Sequence, residues 1–284
     1  MLMSTRPCLF LVLAALAAPP ALAQDGPTPP ETPRIYIFDN GAIRGLNPEL
    51  FNFSADELAE PDLVNISYLI AHPNGTLMFD AGAVPDSEFE GHEGPVVEGT
   101  MSATQPLRPQ LEAAGYSPDD VTYFALSHYH SDHTANANDF AGATWIVQEA
   151  ERDFMFADDP DAIINTESFG ELGDAETVIL DNEDFDVFGD GSVIVMATPG
   201  HTPGHQVVAV TLANSGTIVL GGDLYHYPEE ITTGRVPTFE FDAEQTHASR
   251  AKIQAFLEMT GGTLWIEHDI ATHAQLPRSP EYVD

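Results

Sequence analysis

Apolar positions in this chain come in short runs bounded by turn residues, which is the pattern of buried strands. Arg34 to Phe38 alternates, with Ile35 and Ile37 on one side, and opens the series. Ile66–Ala71 and Thr76–Asp80 flank His72-Pro73-Asn74-Gly75, which predicts a hairpin. Val121–Leu126, Ala143–Val147, Ser192–Ala197 and Thr263–Ile266 read as further strands, with a weaker one at Thr177–Leu180. Gln206–Leu212 and Thr217–Gly221 pair about the turn Asn214-Ser215-Gly216. Helices are expected at Gln105–Ala114, stopped by Gly115, at Gln148–Phe156, and at Ala243–Met259, with apolar Ile253, Phe256 and Leu257. Residues 81–101, with Gly82, Gly91, Gly94 and Gly99 and few aliphatics, are expected to form a long loop. Residues 157–192 are acidic and read mostly as loop. Strands interleaved with helices point to an α/β fold. No period suggests a solenoid. A coarse two-halves pattern is present instead: in each half come strands, then a strand-end loop rich in ligand residues, then a helix.

The first residues stand apart. Arg6 precedes the apolar run Leu9–Ala18, and Ala21-Leu22-Ala23 follows. A positive start, a short apolar stretch and an Ala-x-Ala end describe a secretory signal peptide, cleaved after Ala23. The apolar run is short for a permanent membrane helix. Export to the periplasm or the medium is therefore expected. Cys8 is the only cysteine, so the mature chain would have no disulfide and would rely on its core and on any bound metal. Residues 24–33 are rich in proline, threonine and acid and read as a flexible leader. Residues 34–284 remain, a length that suits one large α/β domain or two small ones.

Charge narrows the partners. Nine basic against 45 acidic residues give a formal net charge of −36, and Lys252 is the only lysine. Such a surface repels nucleic acid and anionic membranes. It suits a small-molecule substrate better than a polyanion.

The chemistry is concentrated in Ser127-His128-Tyr129-His130-Ser131-Asp132-His133, just after the strand at 121–126. Imidazole and carboxylate are ligands for zinc and similar first-row ions. His128 and His130 are two apart and can point the same way from an extended chain. Asp132 and His133 lie beyond the strand, where a turn can aim them at a second point. His201 follows the strand ending at Ala197, Asp223 follows the strand ending at Gly221, and His268 follows the strand ending at Ile266. Strand ends are where α/β folds place their sites. Seven residues, His128, His130, Asp132, His133, His201, Asp223 and His268, suffice for a dinuclear site. Spacing alone does not divide them between two ions.

This order, His-x-His-x-Asp-His, then Pro-Gly-His at 199–201, then Gly-Asp at 222–223, then a late histidine, resembles the metallo-β-lactamase superfamily over nearly all of residues 34–284. The resemblance implies an αβ/βα sandwich of two similar halves with the metal site at the sheet edges. It also implies the partition: His128, His130 and His201 around one ion, Asp132, His133 and His268 around the other, and Asp223 bridging. Asp80 matches an early aspartate that orients the metal-binding loop, and His205 matches a position that is not a ligand. A bridging carboxylate at Asp223 counts against an antibiotic hydrolase. Thr198–Gln206, the segment from Val236-Pro237 to Phe241-Asp242, and His268-Asp269 are most similar to the N-acyl-homoserine lactonases. One departure stands out. Those lactonases often carry a catalytic tyrosine three residues after the bridging aspartate, and here that place holds His226, between Tyr225 and Tyr227. Either a neighbouring tyrosine turns in or His226 takes the donor role.

The implied enzyme is an exported metal-dependent hydrolase that opens acyl-homoserine lactones (quorum quenching). It would use two divalent ions, zinc by default, with manganese, iron or cobalt also compatible with His/Asp ligands. Asp132 would move a proton, and Tyr225 or His226 would stabilise the oxyanion. The acyl tail would lie on Phe51, Phe53 or Met101. Alternatives on the same site are an organophosphate, aryl ester or general lactone hydrolase. A thioester hydrolase would want basic residues for an anionic carrier, and a nuclease is disfavoured by the charge. A non-catalytic exported metal-binding protein is the alternative outside enzymes. His72, His92, His247 and His273 are expected to be solvated surface residues.

Overall fold

Two β-sheets pack face to face between two layers of helix in the computed structural model, which describes residues 26–157 and 165–284. The first sheet contains β1 (Arg34–Ile43), β2 (Leu63–His72), β3 (Gly75–Phe79), β4 (Val96–Glu98), β5 (Met101–Ala103), β6 (Tyr123–Ala125), β7 (Thr144–Gln148) and β8 (Thr177–Leu180). Its order is β4-β5-β1-β2-β3-β6-β7-β8. The second contains β9 (Phe185–Asp186), β10 (Val193–Ala197), β11 (Gln206–Leu212), β12 (Gly216–Leu220) and β13 (Thr263–Trp265), in the order β13-β12-β11-β10-β9. A last strand, β14 (Tyr282–Val283), pairs with β1. The helices are α1 (Leu107–Ala113), α2 (Ser131–Thr134), α3 (Glu149–Met155), α4 (Thr166–Phe169), α5 (Pro228–Thr233), α6 (Ala243–Thr260) and α7 (Ile270–His273). None of the described helices is long and apolar enough to cross a membrane.

Strand alternation decides the layers. Ile35, Ile37, Ile66, Tyr68, Ile70, Leu77 and Phe79 of the first sheet meet Val193, Val195, Val208, Val210, Ile218 and Leu220 of the second. The residues between them face outward. Tyr36, Phe38, Leu69, Met78, Phe124 and Trp145 pack against Leu107 and Leu111 of α1 and Met155 of α3. Met196, Val207, Ala209 and Val219 pack against Ile253, Phe256 and Leu257 of α6. Both faces of both sheets are thus covered, as their apolar runs require. This is the expected αβ/βα sandwich.

Most expected elements are present within a residue or two, and α6 is capped at both ends. Asp242 accepts from the Glu244 and Gln245 amides, and Gly261 ends the helix at φ 68°. The strand expected at 121–126 is shorter, Tyr123–Ala125. The stretch 81–101 is not all loop: it holds a 3-10 turn at Asp86–Phe89, strand β4 and the start of β5, which extends the sheet beside β1. Asp86 anchors this stretch by accepting from the Leu107 and Arg108 amides. Two histidines expected at the surface are buried. His72 lies at the end of β2, stacked on Phe188 with ring centroids 4.1 Å apart and 3.0 Å from Asp190 Oδ2. His273, the last residue of α7, lies within hydrogen-bond reach of the Tyr68 hydroxyl and the Ile266 carbonyl, and burial pushes its pKa down to about 4. His92 and His247 are exposed, as expected. The signal peptide lies outside the described residues. The described part of the 24–33 leader has Pro30 buried, with Pro27, Pro29 and Pro30 beside His72, Thr76 and Tyr116.

Two side chains join the ligand loops of the halves. Gln206, at the start of β11, donates to the Leu126 and Ile146 carbonyls, and its own amide donates to the Ser127 carbonyl. Glu151, buried on α3, accepts from the Tyr129 amide, the Thr202 hydroxyl and the Gly204 amide, each at 2.8 Å. Burial pushes its pKa up to about 7 against those three donors. It ties the loop of His128 and His130 to the loop of His201. Leaving two amides and a hydroxyl without their acceptor costs about 1–3 kcal/mol each. Glu151→Ala is therefore expected to lower unfolding free energy by about 3 kcal/mol or more, read by urea denaturation. Unchanged stability would contradict the clip.

Candidate metal centre

Every ligand residue stands where a strand ends, and each loop is fixed by hydrogen bonds to a neighbour. Asp80, just after β3, has the left-handed backbone (φ 61°), which aims its carboxylate under the histidine loop. Its Oδ1 accepts from the Ser127 amide at 2.6 Å, and Oδ2 lies 3.1 Å from His133 Nδ1. The Ala81 amide donates to the His133 carbonyl, and the single turn α2 presents Asp132 and His133 from there. Asn65 and Val64 at the start of β2 hold the second group: Asn65 Nδ2 donates to the Asp132 carbonyl, and His268 Nδ1 donates to the Val64 carbonyl at 2.8 Å. His201 sits in a loop that the N-terminus of α6 approaches closely. Gly200, at φ 141°, leaves no room for a side chain, because a Cβ would meet the Thr246 amide at 2.2 Å. Gly222 lets the chain turn beside Asp223 in the same way, since a Cβ there would meet Ser127 Cβ at 2.6 Å. His205 is not among the ligands. Its Nε2 accepts from the Asp223 amide at 3.1 Å, and its Nδ1 is 2.9 Å from the Thr198 hydroxyl.

The seven predicted ligands converge on two points. One group is His128, His130, His201 and Asp223; the other is Asp132, His133 and His268. Asp223 divides itself between them. Its Oδ2 is 3.2 Å from His201 Nε2 and 3.6 Å from His128 Nε2, while Oδ1 is 3.2 Å from His133 Nε2 and 2.9 Å from His268 Nε2. His130 Nδ1 is 2.9 Å from His128 Nε2 and 3.1 Å from His201 Nε2. Tetrahedral ligation with bonds of about 2.0–2.1 Å puts ligand atoms about 3.3 Å apart, close to what is seen. His133 Nε2 and Asp223 Oδ1 are buried with no hydrogen-bond partner. Convergent lone pairs, buried and unpartnered, fit a cation at each point.

Behind the ligands lies a shell of acceptors that orient them. Three of its carboxylates carry no sequence motif and escaped the reading above. Glu267 is buried, with Oε1 3.3 Å from His133 Nδ1, opposite Asp80; burial raises its pKa to about 8 despite His133. Glu240 Oε1 lies 3.0 Å from His201 Nδ1, and its other oxygen accepts from Thr246. Glu230 lies behind His226. Position next to a ligand is the only signal that marked Glu267 in advance.

The residues after Asp223 separate cleanly. The Tyr225 ring packs with Met196, Val207 and Ile253, under the Arg250 guanidinium at 4.2 Å, away from the ligands. Tyr227 is buried against Phe51 and donates its hydroxyl to the Pro61 carbonyl. Neither tyrosine turns in: the alternation of a strand-like segment sends 225 and 227 to the opposite side from 226. His226 faces the site, with Nε2 3.0 Å from Asp223 Oδ2. It lines a cleft of about 210 Å³ with His130, Asp132, Asp223 and His268 on one wall and Ile43, Leu46, Phe51, Leu63, Met101 and Phe239 on the other. Phe51 and Met101 are in that wall as expected. Phe53 is not; it is buried beside Tyr227 and Arg235.

Residues 61–262 match the model of the metallo-beta-lactamase superfamily. The chain belongs to that superfamily. It is 30% identical over 260 residues to the N-acyl homoserine lactonase AttM of Rhizobium radiobacter, covering 88% of this chain and 98% of that protein. Its fold matches an N-acyl homoserine lactone hydrolase with the product N-hexanoyl-L-homoserine at its catalytic metal centre (TM-score 0.71, 24% identity, 88% of this chain and 98% of that one). It also matches a variant of AiiA from B. thuringiensis with N-decanoyl-L-homoserine at the active site (TM-score 0.71, 25% identity, 88% and 98%). These relatives of the superfamily member are metal-dependent hydrolases.

Electrostatics of this metallo-beta-lactamase cluster set the terms of metal uptake. At His201 burial works against the charged ring, but Asp223 and Glu240 outweigh it and hold the pKa up at about 9. At His268 burial is likewise outweighed, by Asp223 and Asp132, giving about 9. Both rings are therefore protonated at neutral pH in the side-chain cluster alone, and a cation must displace those protons. Apparent zinc affinity should rise with pH toward about 9. Calorimetric titration of metal-free protein with zinc at pH 7 should show proton release, as an enthalpy that varies with the buffer's own ionisation enthalpy. A buffer-independent enthalpy would contradict this.

Proposed function

We propose that the protein is an exported lactonase that opens N-acyl homoserine lactones with two divalent ions, zinc by ligand preference. The observation that carries this reading is the division of Asp223, one oxygen toward each group of histidines, beside an apolar cleft. Lactonase relatives that span nearly the whole domain support the substrate class. Bound there, the cations would supply a deprotonated water near neutral pH and polarise the substrate carbonyl. The chain's own residues do the rest. His226 Nε2, at the cleft wall, meets the carbonyl oxygen as negative charge develops on it. The water oxygen bonds to the lactone ring's carbonyl carbon, that carbon's bond to the ring oxygen breaks, and the leaving alkoxide takes a proton. Asp132 is placed to carry that proton. Its side chain is 17% exposed against 4% for Asp223, so it is the carboxylate that substrate can reach. At about 210 Å³ the cleft is small beside the ~300–1,000 Å³ of drug-sized sites. It suits the lactone ring and amide, with the tail running out over exposed Phe239 and Leu50.

A second reading, aryl ester or phosphotriester hydrolysis, is favoured by one feature. Phe51, His226 and Phe239 form an aromatic corner with centroids 4.9–6.0 Å apart, suited to a flat leaving group. A panel of acyl-homoserine lactones, aryl esters and phosphotriesters on zinc-loaded enzyme decides between them. Lactone opening is expected, and His226→Ala should lower it about a hundredfold with metal content unchanged. Tyr225→Phe should be nearly silent. A wild type that leaves the lactones intact and cleaves a phosphotriester or aryl ester would overturn the lactonase reading. Export is supported by Ala21-Leu22-Ala23 after the apolar run. N-terminal sequencing of the exported protein should begin at Gln24, and an intact Met1 would contradict cleavage.

A further inference from the structure

The cleft is approached past carboxylates, and no cationic side chain stands ready inside it to receive an anion. The chain as a whole carries a formal net charge of −36. No lysine or arginine is among the residues that line the cleft. Two arginines lie near its rim, and each is already tied to an acid. Arg44, next to the wall residue Ile43, is 2.8 Å from Asp62. Arg235 is 2.8 Å from Glu57 and has its guanidinium over the Phe53 ring. Three exposed acids stand on the segments that form the wall. Glu49 shares a 3-10 turn with Leu50 and Phe51, Glu60 comes three residues before Leu63, and Glu98 faces Met101 across the β4–β5 pair. None of the three enters an ion pair among the described residues. A field of one sign acts on charge and not on shape. Opening a lactone changes the charge: a neutral ester enters, and the new acid, with an ordinary pKa of about 4, leaves as a carboxylate.

We propose that the acidic surround of the cleft is a charge filter, which admits neutral esters and expels the carboxylate that their hydrolysis makes. Specificity is a difference between two affinities, and here the disfavoured partner is the enzyme's own product. The proposal rests on the hydrolysis of a neutral lactone or ester proposed above. Two influences oppose each other at this site. Bound cations would draw a carboxylate at contact, with part of their charge offset by Asp132 and Asp223. The surface acids repel it on approach, across a screening length of about 30 Å at 0.01 M salt and about 3 Å at 1 M. Added salt weakens both, with opposite results. If surface repulsion governs, salt strengthens product binding; if contact attraction governs, salt weakens it. The neutral lactone responds to neither. The same filter makes esters that already carry a carboxylate poor substrates.

Calorimetric titration of zinc-loaded wild type with ring-opened N-hexanoyl-L-homoserine tests this without turnover. Its primary amide, of the same shape but without the charge, is titrated beside it. The ratio of the two Kd values, acid over amide, removes salting-out of the tail and competition by the salt's own anion. That ratio is expected to fall about tenfold between about 0.01 M and about 0.5 M sodium chloride. A ratio that stays flat or rises with salt would overturn the filter. The triple variant Glu49→Gln/Glu60→Gln/Glu98→Gln should lower the low-salt ratio about twofold, with zinc content and lactone kcat unchanged. A ratio identical to that of the wild type would overturn it as well. An enzyme that opens lactones but shows a salt-indifferent ratio keeps the lactonase reading and loses the filter. An enzyme that leaves lactones intact and cleaves an aryl ester loses the lactonase reading, and the same ratio is then measured with that ester's acid and amide.

Discussion

One carboxylate buried among five imidazoles is the constraint to which the rest of the structure answers. Asp223 is 4% exposed and lies 2.9–3.6 Å from His128, His133, His201, His226 and His268. Burial alone would favour its neutral form, but the surrounding rings, His268 first, hold its pKa far below the ordinary range. A buried anion is stable only where its partners are fixed. Each of the devices described above fixes one of them: Asp80 under His133, Val64 behind His268, Glu240 behind His201, His205 on the Asp223 amide. Strand ends of both face-to-face sheets have to come together at the site because these partners come from both. Gln206 and Glu151 join the edges beside the site.

Much of this was legible in the chain. The strands are apolar on both faces, so runs such as Val193–Ala197 and Gln206–Leu212 stand out without any alternation. The ligands stand at strand ends in a fixed order, which is a local pattern and survives in one dimension. Elements that depend on distant partners did not show. Strands β4 and β5 are three residues each and exist because β1 is long enough to pair with β5, which in turn pairs with β4. His72 and His273 read as surface residues because their partners, Phe188 with Asp190 and Tyr68, lie far away in sequence. Glu240, Glu267 and Glu230 look like any other acid in a chain with 45 of them. Only burial tells them apart, and burial is a property of the fold.

The exchange of a hydroxyl for an imidazole after Asp223 changes what the cleft needs. Tyr225 and Tyr227 cannot serve, since the backbone turns them into the α6 interface and against Pro61. His226 reaches the site but brings a second nitrogen that must be accounted for in a dry place. The buried Glu230–Arg250 pair next to it is costly to maintain for stability alone. Glu230 Oε1 lies 3.7 Å from His226 Nδ1, one step further from the ligands than Asp223.

The account stands on Asp223 giving one oxygen to each of two cations. Anomalous diffraction at the zinc edge, from crystals of zinc-loaded protein, tests that most directly. Two peaks are expected, one among His128, His130 and His201 and one among Asp132, His133 and His268, each about 2.0–2.2 Å from a different Asp223 oxygen. A single peak, or two peaks of which only one is bound by Asp223, would contradict it.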